Sequence, residues 1–412
     1  MRIACVGGGP TGLYLAILAR LRSGGRDEVV VHERNRRGWT HGFGVTFGED
    51  LLDDFFRTDP AGAPALRRAS RLWSDQMVRI GDLKPVHLGG KYGYSMARVT
   101  MLQVLTERAE QLGVDLRFGS NVTGRDEIDA DVVVATDGVG SRLRTARAGH
   151  FGTTVEPGEN RYVWLGTDRC VDVFTFAFER TDAGWIWFYA YPSADGASTC
   201  IVECAPDTWT GLGLDSVPAA DGLRMLESIF ADALGGHRLL APAGGDGAGE
   251  LPWLRFREVR NRTWRDDDLV LAGDAAHTTH FGIGSGTVLA VQDGVALADA
   301  LYATPESRAT AQGRIAALSA YDARRRARLG PIQDMARRNM QWFERAGERL
   351  ERGEDPVEFS WALLDRRGDM GRLHYRLHRA TQIGPVRQVR RTLTSARRVR
   401  RAAQRGERGA IG

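Results

Sequence analysis

An α/β chain is predicted, in which a parallel-sheet domain is interrupted by an antiparallel sheet and followed by C-terminal helices. Three observations predict it. Strand, glycine turn, helix, strand and acid follow one another between Arg2 and Glu33. The region Tyr162 to Cys204 alternates β-branched and aromatic residues. After Asp268 the chain returns to an apolar strand that ends in glycines and leads into a helix.

The first observation is the most specific. Ile3 to Val6 is a short apolar run ending in Gly7-Gly8-Gly9-Pro10-Thr11-Gly12. A helical pattern follows with Leu13, Ala16, Ile17, Ala19 and Leu21, then Val29-Val30-Val31 runs into Glu33 and Arg34. This is the dinucleotide-binding fingerprint of a Rossmann-like domain. Gly7 makes the tight turn, Gly9 lets backbone approach a pyrophosphate, and Gly12 lets helix and strand pack closely. The helix N-terminus, opened by Pro10, favours the phosphate charge. Glu33 closes the second strand, where a carboxylate can hold a ribose.

At 412 residues the chain is long enough for two or more domains. A hydrophobic share of 42% with 26% charged residues is that of a globular protein. No 18-residue apolar run occurs, so no segment is expected to span a membrane. The first strand begins at once, which leaves no h-region for a signal peptide. Cys5, Cys170, Cys200 and Cys204 lack metal-ligand spacing with histidines and read as reduced thiols of a cytoplasmic protein. His277 and His280 lack a third ligand, so no metal is expected. Nine arginines and one glutamate between Arg387 and Arg408 carry +8 of a formal net +4, leaving the rest near −4. The basic character is therefore local, and no nucleic-acid partner is implied.

Past Glu33, the stretch Arg34 to Gly48 holds Gly38-Trp39 and His41-Gly42-Phe43-Gly44-Val45, and is expected to pack over a cofactor. Leu51 to Phe56 and Ala65 to Leu72 read as helical; Met77 to Ile80 and Pro85 to Leu88 read as short strands. Leu102, Leu105, Ala109 and Leu112 place an apolar stripe on a helix, with Arg98 just before it. A cation at that end is unusual unless it faces a phosphate or carboxylate. Val114 to Phe118 is the next strand. Asp131 to Ala135 is a buried strand running into Asp137-Gly138, where a cofactor contact is expected. Val171 to Glu179, Trp185 to Tyr191 and Ser198 to Cys204 read as neighbouring antiparallel strands, Gly222 to Ala233 as helix, Ala241 to Gly249 as loop, and Trp253 to Arg260 as a further strand. Leu269 to Ala272 leads into Gly273-Asp274, His277 and His280, and then Gly282, Gly284, Ser285, Gly286 and Thr287 before a helix. These glycines expose N–H groups as an anion nest. Helical patterns follow from Ile315 to Arg328 and Asp334 to Arg345, and in part of Glu351 to His378.

Three strand-to-loop glycine sites in both halves of the chain imply one large extended cofactor. With these motifs the sequence resembles the class A flavoprotein monooxygenases, the aromatic hydroxylases of the p-hydroxybenzoate hydroxylase fold. Within them it is similar to the branch of salicylyl-CoA 5-hydroxylase, anthraniloyl-CoA monooxygenase and the violacein-pathway tryptophan hydroxylase. The matching segments are Gly38-Trp39 with Gly42 to Val45, Arg161 to Thr167, Phe174 to Glu179, Thr199 to Cys204, Gly273 to Thr287 and Trp342-Phe343-Glu344. The resemblance covers about residues 1 to 378. Two places depart from the branch: Thr40-His41, and Tyr189 where the branch carries histidine.

The resemblance implies a FAD-binding domain (1–76, 90–155, 266–320), an inserted sheet-based substrate domain (77–89, 156–265), a C-terminal helical region (321–380) and an arginine-rich tail (381–412). The tail is expected to be solvated and disordered; a packed helix and a clamp for a phosphorylated or carrier-bound substrate are the alternatives. FAD is the implied cofactor and NADH or NADPH the electron donor. One atom of O2 is placed by way of the flavin C4a-hydroperoxide on an aromatic acid thioester, with a free indole, tryptophan-like or polycyclic ring as the alternative substrate. A monomer or homodimer is expected. Gly7, Gly9, Pro10, Gly12, Glu33, Arg34, Arg98, Asp137, Gly138, Gly273, Asp274, Gly284, Ser285, Gly286 and Thr287 are the expected cofactor residues. His280, then His277 and His41, are the candidate general bases, with Tyr189 as a hydrogen-bonding partner.

Overall fold

The structure, a computed structural model, describes residues 1–40, 42–194, 196–241, 251–366, 375, 378–379, 382 and 384–407. His41 and most of the expected loop 241–249 lie outside the described residues. No helix among the described residues is long and apolar enough to cross a membrane.

The N-terminal apolar runs pair as predicted. Arg2–Val6 lies between Glu28–Glu33 and Val132–Ala135, parallel to both. Asp115–Phe118 and Leu269–Leu271 extend this sheet on either side, and Arg265–Asp266 caps it as an antiparallel edge. The helices Pro10–Ser23 and Gly286–Leu301 pack against each other on the sheet, where Gly294 meets the Thr11 carbonyl. Val132, Val133, Val134 and Ala135 are all fully buried in a strand paired on both sides near the middle of the sheet.

The second sheet runs Leu239–Leu240, Thr154–Thr167, Ala197–Cys204, Gly184–Ala194, Phe174–Thr181, Arg71–Ile80, Val86–Ala97, Gly44–Phe47, with Leu254–Arg260 paired to Thr154–Thr167. Strand alternation gives it two unlike faces. One face carries Val163, Leu165, Phe188, Cys200 and Val202 against the helices of residues 206–234. The other carries Phe176, Phe178, Trp187, Tyr189, Tyr191 and Ile201, joined by Phe343, Phe359 and Leu363 from C-terminal helices.

The two sheets are tied by one long helix, Ala311–Glu344, with Pro331 inside it. Near its start the Tyr321 hydroxyl donates to the Leu271 carbonyl (3.3 Å). Near its end Phe343 lies 5.2 Å from the Tyr189 ring. The sequence reads as two helices around Gly330-Pro331, yet the chain keeps helical geometry through the proline.

Two expectations are corrected here. The short strands expected at 77–80 and 85–88 are the ends of long ones, Arg71–Ile80 and Val86–Ala97, and the helix before them stops at Ala69. The polar residues and glycines of 71–97 conceal the strand pattern. Gly93 is needed because its hydrogen stands where a Cβ would be 2.4 Å from the Trp73 ring. Trp73 in turn donates to Thr46 (3.1 Å).

The tail, expected to be disordered, forms the helix Gly384–Gln404 docked along Val86–Ala97. Arginines on its inner side find acids far away in the sequence. Arg391 pairs with buried Asp75. Arg405 reaches Glu49 (3.0 Å), Asp53 (2.7 Å) and Glu407 (2.5 Å), and Arg401 reaches Asp50 (3.3 Å). Ahead of the helix, Gln382 exchanges hydrogen bonds with the backbone of His87. A local charge count cannot see such partners. Arg405→Ala is expected to loosen the helix by about 2 kcal/mol, since it removes several charge-assisted bonds. Limited trypsin digestion checks this: cleavage in the tail should accelerate, and an unchanged rate would mean these pairs do not hold the helix.

Candidate active site

The three glycine loops converge at the C-terminal ends of the parallel strands, where ligands of such sheets bind. Gly7 has φ +117°, and a Cβ there would stand 2.2 Å from the Thr136 carbonyl oxygen. Thr136 fixes this crossing by donating to the carbonyls of Val6 (3.0 Å) and Gly7 (2.9 Å). A Cβ on Gly12 would meet the Gly7 carbonyl at 2.1 Å. Pro10 opens the following helix. The Glu33 carboxylate accepts from the amides of Gly8 (2.7 Å) and Asn35 (2.8 Å), which aims it at the turn with lone pairs to spare. Arg34, just beyond it, is exposed.

From the neighbouring strand, Asp137 accepts from the Arg142 amide (2.8 Å) through one oxygen, while its other oxygen is shut from solvent with no protein partner. Gly138 has φ +83° and open space above it. Arg144 is buried and spans two loops, donating to the carbonyls of Val139 (2.7 Å) and Ala275 (3.1 Å).

The third loop is held from below by a residue the sequence reading passed over. Asp293, fully buried in the helix Gly286–Leu301, accepts from the Gly273 amide (2.8 Å), His277 Nε2 (2.7 Å) and Arg325 Nε (2.6 Å). Burial alone would raise its carboxyl, but His277, Arg325 and the Gly273 amide hold it below the ordinary carboxylate range. His277 is thus committed to the loop, its ring stacked 5.1 Å from Trp264. Gly273 itself (φ +62°) lies against Thr11 of the first loop.

His280, the first candidate base, is likewise built into the loop. Its ring is buried beside Phe281 and Phe256, and Nδ1 accepts from the Gly282 amide (3.3 Å) and faces the Asn339 amide nitrogen (3.1 Å). Burial, helped by the charge of Arg366, pushes the imidazole down to about 3. A neutral ring of this kind caps a turn; it is a poor proton acceptor near neutral pH. Arg366 completes the clamp by donating to the Gly282 carbonyl (2.7 Å) and to Asn339.

After this turn, a Cβ on Gly284 (φ +64°) would meet the Thr46 methyl at 3.4 Å, and Ser285 lies 3.3 Å from Thr279. Gly286 starts the next helix with open space where a Cβ would be, so its amide and that of Thr287 belong to an accessible helix N-terminus. Across the cleft stands Arg98. Its amide donates to the Phe43 carbonyl (2.8 Å) and its Nε to Thr40 (2.9 Å). Asp274 reaches solvent yet is walled in by protein, which raises its carboxyl, while His277 and Arg98 oppose the rise. Burial lowers the Arg98 guanidinium, and Asp274 opposes that. Opposite charges facing across such a concavity describe a cleft rather than a packed core.

The loop expected over the cofactor bridges this cleft to the aromatic face. Gly42 lies against Trp164, Phe43 against Gly166 and Gly44 against Thr199. The Tyr191 hydroxyl donates to the Gly44 carbonyl (2.9 Å). Tyr189 donates to Glu203 and receives the Trp187 indole N–H (3.0 Å). Glu203 also accepts from Asn160 (2.7 Å). Burial pushes its carboxyl up to about 7 against these hydrogen bonds. Phe281 of the glycine loop covers this group, 4.6 Å from Tyr162 and 5.9 Å from Tyr189.

The residues present fit an extended dinucleotide. Gly9, Gly138 and Gly286 open onto free space, Asp137 holds an unused oxygen, and the Glu33 carboxylate faces the first glycine turn through the Gly8 amide. Fold and site together define a FAD-binding protein of the aromatic-hydroxylase type. The model of the FAD binding domain matches residues 249–336. The chain is 38% identical over 386 residues to salicyloyl-CoA 5-hydroxylase of a Streptomyces species, covering 91% of this chain and 72% of that protein. It is 37% identical to 3-hydroxy-4-methyl-anthranilyl-[aryl-carrier protein] 5-monooxygenase of Streptosporangium sibiricum, covering 84% and 90%. Among solved structures, the tetrameric form of 2-methyl-3-hydroxypyridine-5-carboxylic acid oxygenase superposes with a TM-score of 0.64 at 16% identity, covering 90% and 93%. The chain belongs to the class A flavoprotein aromatic monooxygenases. Its cofactor is FAD and its electron donor a reduced nicotinamide dinucleotide. When bound, the flavin supplies the transfer of one oxygen atom from O2 to an aromatic ring.

Arg98→Met is expected to weaken FAD binding about tenfold, the cost of one lost charge-assisted contact. Flavin fluorescence titration of the apoprotein measures it. An unchanged affinity would leave Arg98 a scaffold for Thr40 alone.

Proposed function

We propose that this enzyme hydroxylates the ring of an aromatic acid carried as a thioester, linked to coenzyme A or to a carrier protein. The aromatic face of Trp164, Phe174, Phe176, Tyr189 and Tyr191, opposite the loop of residues 280–287, is the observation that carries a flat substrate. The thioester rests on the two relatives whose names specify a CoA- and a carrier-linked acid. In this reading Gly9 and the Pro10 helix end hold the pyrophosphate and Glu33 the ribose. Asp137, Arg98 and Asp274 line the cofactor's path, and the amides of Gly286 and Thr287 stabilise negative charge on the ring system. The six-stranded sheet forms the cofactor unit and the larger sheet the substrate unit. Phe281, Trp164 and Tyr162 keep water from the reacting ring. His277 and His280 hold the loop rather than move the proton.

The test is anaerobic flavin reduction by NADH or NADPH with salicylyl-CoA, anthraniloyl-CoA, the free acids, tryptophan and indole in turn. A thioester should accelerate reduction, and admission of oxygen should then give a hydroxylated product. Acceleration by free tryptophan or indole alone would overturn the thioester.

A further inference from the structure

The tail helix has two sides. Counting 100° per residue, Arg390, Thr394, Arg398, Arg401, Ala402 and Arg405 share the side turned to the protein, and Ala402 is buried there. Val389, Leu393, Ala396, Arg397 and Arg400 form an exposed stripe about 100° wide away from the protein, with Ala396, Val389 and Arg400 farthest from the docked side and Arg397 at the stripe's edge beside Arg390. Val389 and Leu393 are 62% and 60% exposed, more than any other large apolar side chain among the described residues. Arg397 and Arg400 are exposed, and no described carboxylate pairs with either. Of the arginines turned to the protein, Arg391, Arg401 and Arg405 have acids, while Arg390 and Arg398 pair with no described carboxylate. The outer cations and apolar groups are thus spare, not part of what docks the helix.

We infer that this outward stripe is the docking surface for an acidic carrier protein that delivers the thioester-linked substrate, an inference resting on the thioester reading above. A stripe from Val389 to Arg400 runs about 16 Å along the helix, which suits a helix-sized partner rather than a small anion. Its unpaired positive charge calls for a negative partner, and the two aliphatic side chains supply an apolar anchor at one end. Its location is suitable too. The helix lies along Val86–Ala97, whose neighbouring strand Gly44–Phe47 puts Thr46 against Gly284 of the flavin-side loop. A partner on the stripe therefore sits beside the wall of the cleft. Two aliphatic groups with no aromatic ring make a weak membrane anchor.

The experiment uses the FAD-loaded enzyme and Arg397→Glu/Arg400→Glu, with equal flavin content and far-UV circular dichroism as the control for folding. The probe is an acidic aryl-carrier domain bearing a salicylyl-pantetheine thioester. Binding of the fluorescently labelled carrier is measured by anisotropy, and turnover of the carrier-bound acid is compared with that of salicylyl-CoA. The double variant should bind the carrier at least about tenfold more weakly and lose kcat/KM on it to the same extent, with salicylyl-CoA turnover unchanged. Equal carrier binding by both proteins, or none by either, overturns the inference. So does binding to phosphatidylglycerol vesicles that the double variant loses while carrier binding stays intact. If neither thioester is hydroxylated, the thioester reading fails, and the docking surface is judged on the binding arm alone.

Discussion

Asp293→Ala is expected to cost about 3–5 kcal/mol of stability and most of the bound FAD, because it leaves a buried cation without its counter-charge. Arg325 has a 5% exposed side chain and keeps only the Leu289 carbonyl (3.3 Å) once the carboxylate is gone. The Gly273 amide and His277 Nε2 are stranded in the same step. Since Gly273 abuts Thr11, the disturbance reaches the first glycine loop without any contact of Asp293 with the cofactor. Urea unfolding followed by circular dichroism, together with the flavin-to-protein absorbance ratio, measures both losses. Asp293→Asn keeps the side chain's shape and one acceptor oxygen, loses the charge and turns its NH2 on a donor, and should fall between. If Asp293→Ala kept its flavin and its stability, the loop would be held by other means. The pH dependence has a definite sign. A carboxyl held below its unfolded value stabilises the protein above that value, and this contribution is lost as pH falls through the lower, folded pKa. The loss therefore belongs to acid solution, below about pH 4.

Glu203 should act in the opposite sense. Its carboxyl titrates at about 7 in the folded protein, well above the ordinary carboxylate value of about 4.3. The folded state then retains a proton that the unfolded chain has released. Stabilisation is complete below the unfolded value and is lost as pH rises through about 7, a swing of about 3 kcal/mol for a displacement of this size. Glu203→Gln removes the ionisation. Tyr189 and Trp187 can still donate to the amide oxygen, and Asn160 can turn its own amide to receive the new NH2. The variant is expected to match the wild type near pH 4 and to exceed it by up to about 3 kcal/mol at pH 8. Urea midpoints across that range measure the gap. A constant gap between the proteins would show that Glu203 is ionised throughout.

Much of the cofactor side was legible in the sequence, because it depends on residues that must be glycine whatever surrounds them. Gly7, Gly12 and Gly273 stand where backbone or a hydroxyl passes too close for a Cβ. Such demands leave a mark at fixed spacing. What was missed depends on partners far away in the chain. Asp293 reads as one polar residue in a helix, and its function appears only when residue 325 arrives at its side. The available signal was an acid beside Ala290 and Leu297 in a helix whose other buried residues, Val291 and Val295 included, are apolar on every side. Glu203 gave a similar hint inside Cys200-Ile201-Val202-Glu203-Cys204, a run buried from end to end. The hold of the histidines on the loop was not legible, because donor and acceptor roles are set by neighbours such as Asn339 and Arg366, which spacing does not reveal. The tail was misjudged for the same reason, since Glu49, Asp53 and Asp75 stand more than 300 positions from their arginines.

The long helix has a mechanical consequence. It is anchored to the parallel sheet through Tyr321 and Arg325 and to the aromatic sheet through Phe343. Between those anchors stands Gly330-Pro331, where the proline ring lacks an N–H and one rung of the helical ladder is missing. A rod with one missing rung bends there first. Two positions on, Gln333 donates to the Val259 and Thr278 carbonyls (3.0 and 3.2 Å), so the turn that lacks a rung is braced from outside by side-chain bonds to the strand and loop it passes.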